Sequence, residues 1–130
     1  MRESARAILI AKNGRFVFMK RNKPGAEYYT TIGGGLEPGE SADAALRREL
    51  LEESGSVIES ARFAFDLMTA DTGELHHIYI VREKERLIPT GEEWARNTPN
   101  NKHEIVEVAG DKIRDINLLP KEIKDYILRM

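Results

Sequence analysis

The chain has 130 residues, 41% of them hydrophobic, which suits one small domain around a single core and leaves no room for two. A formal net charge of −2 and an isoelectric point near 6.0 provide no global attraction to nucleic-acid polymers or anionic membranes. A small ligand is expected in preference to a duplex, an anionic one would have to be drawn in by a metal and local basic groups, and the absence of cysteine removes disulfides, zinc–thiolate sites and cysteine nucleophiles together.

Ala5 to Lys12 and Arg15 to Arg21 read as apolar strands joined by Asn13-Gly14, a strong hairpin signal. The apolar run Ala7 to Ala11, flanked by Arg6 and Lys12, is too short to span a membrane or serve as a signal segment, so the cytoplasm is the expected compartment. Residues 22 to 31, with Pro24 and Gly25, read as a loop, followed by a short extended piece at Tyr28 to Ile32.

Gly33, Gly34 and Gly35 come next, then a Pro38-Gly39 turn and a helix. Ser41 is the expected N-cap, Asp43 complements the dipole in the first turn, and Gly55 is the expected left-handed C-terminal cap. Ala42, Leu46 and Leu50 form one apolar strip, with Ala44 and Leu51 on the far side, which predicts a helix packed between two layers.

Beyond Gly55, Ala61 to Ala70 places Phe63, Phe65 and Leu67 on one face by alternation. Asp71 to Gly73 makes a turn into a second strand, Leu75 to Arg82. Residues 89 to 102 read as a loop with a helical turn near Glu92 to Arg96, and Glu104 to Ala109 as a last strand. Pro120 opens a final helix with Ile123, Ile127 and Met130 on one face. The fold class is therefore α/β, a mixed sheet between helices.

The chemical signal lies in the central helix. Glu49, Glu52 and Glu53 are related by i,i+3 and i,i+4, so their carboxylates leave one helical face. Unneutralised, such like charges cost roughly 0.2 to 0.5 kcal/mol per pair. Oxygen-only donors this close suit Mg²⁺ or Mn²⁺, hard ions that share their coordination with substrate phosphate. The plain alternative, a solvated acidic face beside a flexible turn, leaves the glycines and the offsets of Glu40 and Arg48 unexplained.

Those offsets carry a resemblance. Gly34, five residues, Glu40, seven residues, then Arg48-Glu49-Leu50, any residue, Glu52-Glu53, any residue and Gly55 resembles the signature of the Nudix hydrolases, which cleave nucleoside diphosphates linked to another moiety. The family expects an apolar residue after that glycine, where this chain has Ser56, and Val57 is expected to supply the packing. Many members have proline where Ile32 stands. The resemblance implies the Nudix α/β/α sandwich, Mg²⁺ or Mn²⁺ held by Glu49, Glu52 and Glu53 with the Gly34 carbonyl, and Arg48 orienting the carboxylates. It further implies Glu40 fixing the loop, and a small nucleotide or nucleoside diphosphate derivative as the molecule acted on.

The general base stays open, because coupled carboxylates and metal-bound water do not titrate as individuals. Glu92, Glu93 and Glu104 are candidates for an additional carboxylate, against their ordinary reading as exposed glutamates. Arg21 and Lys23, with Gly33 and Gly35, are the candidate substrate contacts. His76 and His77 are consecutive on a strand and cannot ligate one ion together; packing or exposure is their expected role, as a surface position is for His103. Trp94, Tyr28 and Tyr29 are residues able to stack on a base. The function expected is hydrolysis of a phosphoanhydride bond. Two alternatives are a nucleotide sensor without turnover and a phosphate-binding scaffold independent of metal. The oligomeric state is open, a homodimer being one form found among similar proteins.

Overall fold

A computed structural model describes residues 2–87 and 102–130. Its described strands form one mixed sheet. The strands are β1 (Arg2–Ile10), β2 (Phe16–Lys23), β3 (Ala26–Thr30), β4 (Ile32–Gly35), β5 (Ser56–Thr69), β6 (Glu74–Arg86), β7 (Lys102–Val108) and β8 (Leu118–Leu119). Helix α1 (Ala42–Ser54) precedes β5, a 3-10 turn covers Gly110–Asp115, and α2 (Lys121–Leu128) closes the described chain.

β1 lies at the centre. It pairs in parallel with β6 along its whole length and antiparallel with β4 and β2 on its other edge. β2 in turn pairs with β3 and β7. Alternation along β1 explains the two layers, since successive side chains of a strand point to opposite faces. Ala5, Ala7 and Leu9 pack with Ala45, Leu46 and Leu50 of α1, while Ile8 and Ile10 join Ile113, Ile123 and Ile127 on the α2 side. All of these are buried, and each fully buried leucine or isoleucine contributes about 1.5 to 3 kcal/mol of transfer free energy. The α/β/α arrangement expected from sequence is the one observed.

Several local expectations are corrected. Residues 22 to 31 are not a loop: β2 runs on to Lys23 and pairs with β3 in a tight hairpin over Pro24-Gly25, with Gly25 at φ 79°. Helix α1 is buried on one side only, with Leu51 51% exposed and Ala44 exposed, so it is not packed between two layers. Phe63 and Phe65 do not share a face. The β5–β6 register slips between them, sending Phe63 against Tyr79 on the α1 side and Phe65 against Tyr126 on the other. Met130 lies past the end of α2 and is exposed. The loop and helical turn expected within residues 89 to 101 lie outside the described residues.

Position 56 differs from expectation in a more informative way. Ser56 itself is buried, and Val57 only partly so. The Ser56 hydroxyl donates to Glu83 Oε2 at 2.9 Å and meets Ser54 Oγ at 2.7 Å, and Arg86 pairs with the other oxygen of Glu83 at 3.1 Å. A buried polar chain with its partners supplied thus stands where an apolar contact was expected.

Candidate active site

Both ends of α1 are built as their residues dictate. The Ser41 side chain accepts from the Ala44 N–H at 3.1 Å, and Gly55 caps the far end at φ 66° with its N–H on Leu50 and Leu51 carbonyls. An added Cβ at Gly55 would lie 2.6 Å from the Leu87 carbonyl oxygen, so glycine is required there on two counts.

Between β4 and α1 the chain is gathered by one cation. Arg48 donates to both Glu40 oxygens, at 2.9 and 2.8 Å, and to Glu49 Oε1 at 2.8 Å, the Gly35 carbonyl at 3.1 Å and Glu52 Oε2 at 3.4 Å. Glu40 also accepts from the Glu37 N–H at 3.0 Å, which locks the turn onto the helix. The Arg48 hydrogen bonds, then that of the Glu37 backbone, hold the Glu40 carboxyl down at about 2. The same bond raises the Arg48 pKa, so this guanidinium is charged at any working pH.

The glutamates meet the glycines directly. A Cβ on Gly34 would come within 2.5 Å of the Glu49 carboxyl carbon, so the missing side chain makes room for that carboxylate against the backbone. Glu53 accepts from the Gly33 N–H at 3.2 Å. Glu52 is exposed beyond Arg48. Among the described residues no three ligand-type side chains converge into a ready cation cage. The donor chemistry nevertheless fits Mg²⁺ or Mn²⁺: all-oxygen ligands on one helix flank, more acid than the one arginine neutralises, and a backbone cradle that admits Glu49.

A second feature adjoins this face. A cavity of about 470 Å³ is lined by Arg6, Arg21, Tyr28, Thr30, Thr31, His76 and Pro120, among others. Arg6 stands opposite Gly33 in the β1–β4 ladder, and a Cβ at Gly33 would strike the Arg6 Cα at 2.6 Å. His76 lies between Ser4 Oγ at 2.6 Å and Thr69 Oγ1 at 3.3 Å, and burial pushes its pKa down, so it is neutral near pH 7.

The NUDIX domain model matches residues 1–126. The chain belongs to the Nudix family. A MutT protein studied from Aliivibrio salmonicida and Vibrio cholerae superposes with a TM-score of 0.76 at 16% identity, covering 99% of this chain and 97% of that one. A candidate Nudix hydrolase family member from Chromobacterium violaceum gives 0.67 at 25% identity, covering 99% and 75%. An ADP compounds hydrolase gives 0.68 at 19% identity, covering 98% and 71%. A search of curated proteins returns no match.

Within this Nudix fold the candidate residues fall into two groups. Arg48, Glu49, Glu52, Glu53, Gly33, Gly34 and Gly35 come together at the β4–α1 junction. Arg21 instead lines the cavity, donating to Thr30 Oγ1 at 3.1 Å and to the His103 ring. Lys23 stands at the strand end with its ammonium 5.7 Å from the Tyr28 ring centroid. Glu104, on β7, stands across from Lys20 of β2 in a loose pair at 4.0 Å and makes no described contact with the Nudix glutamates. Glu92, Glu93 and Trp94 lie outside the described residues.

Sequence reasoning missed Arg6 and Thr31. The available signal was a charge inside a central strand: Arg6 interrupts a run otherwise apolar on both faces, which a strand tolerates only where the charge has a use or a partner. His77, assigned no chemistry, bridges Asp66 at 2.7 Å and Glu3 at 2.9 Å; burial opposes its charge, but the two hydrogen bonds win and raise its pKa.

Proposed function

We propose that this Nudix hydrolase is a Mg²⁺- or Mn²⁺-dependent pyrophosphohydrolase that cuts a phosphoanhydride bond in a nucleoside diphosphate derivative or nucleoside triphosphate. The observation that carries this reading is the charge imbalance at the β4–α1 junction, where Arg48 faces Glu37, Glu40, Glu49 and Glu52 at 3.9 Å or less, with Glu53 close by on Gly33. Glu49, Glu52 and Glu53, with the Gly34 carbonyl, would hold the ion. When bound it supplies positive charge on the phosphate oxygens and a more acidic water.

The protein's own residues do the rest. Arg48 fixes the Glu49 carboxylate in one rotamer by a charge-assisted bond, and Glu40 ties the loop to the helix, so the donors are oriented before substrate arrives. Gly33 and Gly35 let the loop backbone approach the diphosphate. In the reaction a water oxygen forms a new bond to phosphorus, the anhydride P–O bond breaks, and a nearby carboxylate takes the water proton. Arg21, on the cavity wall, and Lys23, at the end of β2, would be the further cations available to phosphate charge.

The test is incubation with Mg²⁺ and a panel of nucleoside triphosphates, nucleotide sugars, ADP-ribose and dinucleoside polyphosphates, reading phosphorus-containing products, for the native chain and Glu52→Gln. Metal-dependent turnover that drops about a hundredfold in the variant is expected. Equal activity in both would reject the assigned glutamates. Metal-dependent binding without products across the panel would favour a nucleotide sensor.

A further inference from the structure

The cavity beside the glycine loop holds two arginines with no acid of their own. Among the described residues, Arg6 makes one hydrogen bond, to the Thr31 carbonyl at 3.1 Å, and neither Arg6 nor Arg21 has a carboxylate partner within ion-pair distance. A guanidinium carries five N–H donors, so most of the fork of each is available to a ligand. Thr31, buried on the same wall, has a hydroxyl with no hydrogen-bond partner among the described residues. A buried orphan hydroxyl beside two guanidiniums with N–H groups to spare and no carboxylate in ion-pair reach suits a polar, acceptor-rich ligand.

The anions that act on Arg6 are committed elsewhere. Burial pushes its pKa down, against the fields of Glu53, Glu74 and Glu49. Glu74 faces Arg2 at 3.8 Å and His76 at 3.9 Å. Glu49 is bonded to Arg48. Glu53 accepts from the Gly33 N–H at 3.2 Å and acts on Arg6 from beyond ion-pair distance. His76 is neutral and occupied by Ser4 and Thr69, and Asp71, at the rim, caps its own turn by accepting from the Thr72 N–H at 3.0 Å.

We propose that this cavity receives a phosphate group of the substrate other than the anhydride being cut, bound by the Arg6 and Arg21 guanidiniums and the Thr31 hydroxyl. The inference rests on the pyrophosphohydrolase reading and narrows its substrates to those whose linked moiety is itself phosphorylated. Gly33 links the two places through the backbone: its N–H holds Glu53, and its α-carbon packs on the backbone of Arg6 in the β1–β4 ladder. Tyr28 supplies an aromatic side chain to the cavity wall. An uncharged base alone would leave both guanidiniums unpaired.

The test uses the full chain, ¹⁵N-labelled and kept metal-free with EDTA, titrated with ribose 5-phosphate and separately with ribose. Saturable shifts at the Thr30 and Thr31 amides with the phosphate ester and none with the sugar are expected. Affinity should weaken at least about tenfold in Arg6→Gln and stay unchanged in Arg47→Gln, an exposed residue paired with Asp43. If Arg6→Gln melts early, Arg21→Gln is read in its place with the same expectation. An equal response to both sugars, shifts confined to α1 and Gly35, or undiminished affinity in the cavity variant would overturn the inference. No metal is present and no bond is cut, so such a failure leaves the catalytic reading standing. An inactive enzyme that still binds the ester at Thr31 would strike only the reading of the glutamates.

Discussion

Two arginine–carboxylate clusters frame α1, and they are built for opposite ends. Arg86 pairs with Glu83 and Glu107, while Ser56 and Asn13 add neutral donors to the same two acids, so the group is balanced inside the fold. Glu107 shows the balance, its pKa lowered first by the Asn13 hydrogen bond and then by Arg86. Arg48 meets four carboxylates with no neutral side-chain donor to help it, beside a backbone stripped of side chains. On the function proposed above, the acid around Arg48 is what a cation would meet, whereas the acids around Arg86 are matched by donors of the fold.

The comparison can be broken by exchanging what each cluster loses. Glu53→Gln should cut turnover about a hundredfold while its melting temperature stays close to the parent's, and steady-state kinetics beside calorimetry check both halves. Glu83→Ala should do the reverse, costing about 1 to 3 kcal/mol in urea unfolding through the lost Ser56 and Arg86 bonds to a buried carboxylate, with kcat within a few-fold of the parent. If Glu83→Ala abolished turnover in a folded protein, the division between the clusters would be wrong. Gly34→Ala sharpens the picture more gently: the new methyl displaces the flexible end of Glu49 instead of backbone, so activity should fall about tenfold with little loss of stability.

The smallest effect is in acid. The Glu40 carboxyl lies at about 2 in the folded chain, below its ordinary 4.5, so its contribution to stability is whole above pH 4.5 and disappears as pH falls from there toward 2. Glu40→Gln should flatten the parent's stability–pH curve in that window and leave it parallel to the parent's above it, as denaturant titrations at stepped pH would show.

Features written in local chemistry were legible from sequence. The caps at Ser41 and Gly55, the hairpin at Asn13-Gly14 and the spacing of Arg48 with its glutamates each depend on residues a few positions apart, and each is where the spacing put it. What escaped depends on chain far away. Ser56 looked like a departure from pattern because its partner, Glu83, is on the next strand. The slip between Phe63 and Phe65 is a property of the β5–β6 pairing, which alternation within β5 alone cannot report. Arg6 passed as the border of an apolar run because the cavity it lines is assembled from β1, β2, β3, β5, β6 and the end of β8.

The parallel seam between β1 and β6 sets Arg2 beside Glu74 and Ile10 beside Arg82, partners some seventy residues apart in the chain. A nascent polypeptide leaving the ribosome therefore carries its acidic helix and glycine bend into the cell well before the strand that completes their platform has been synthesised. Contacts of such long sequence separation slow folding, so the closing of the β1–β6 seam is expected to be a late step.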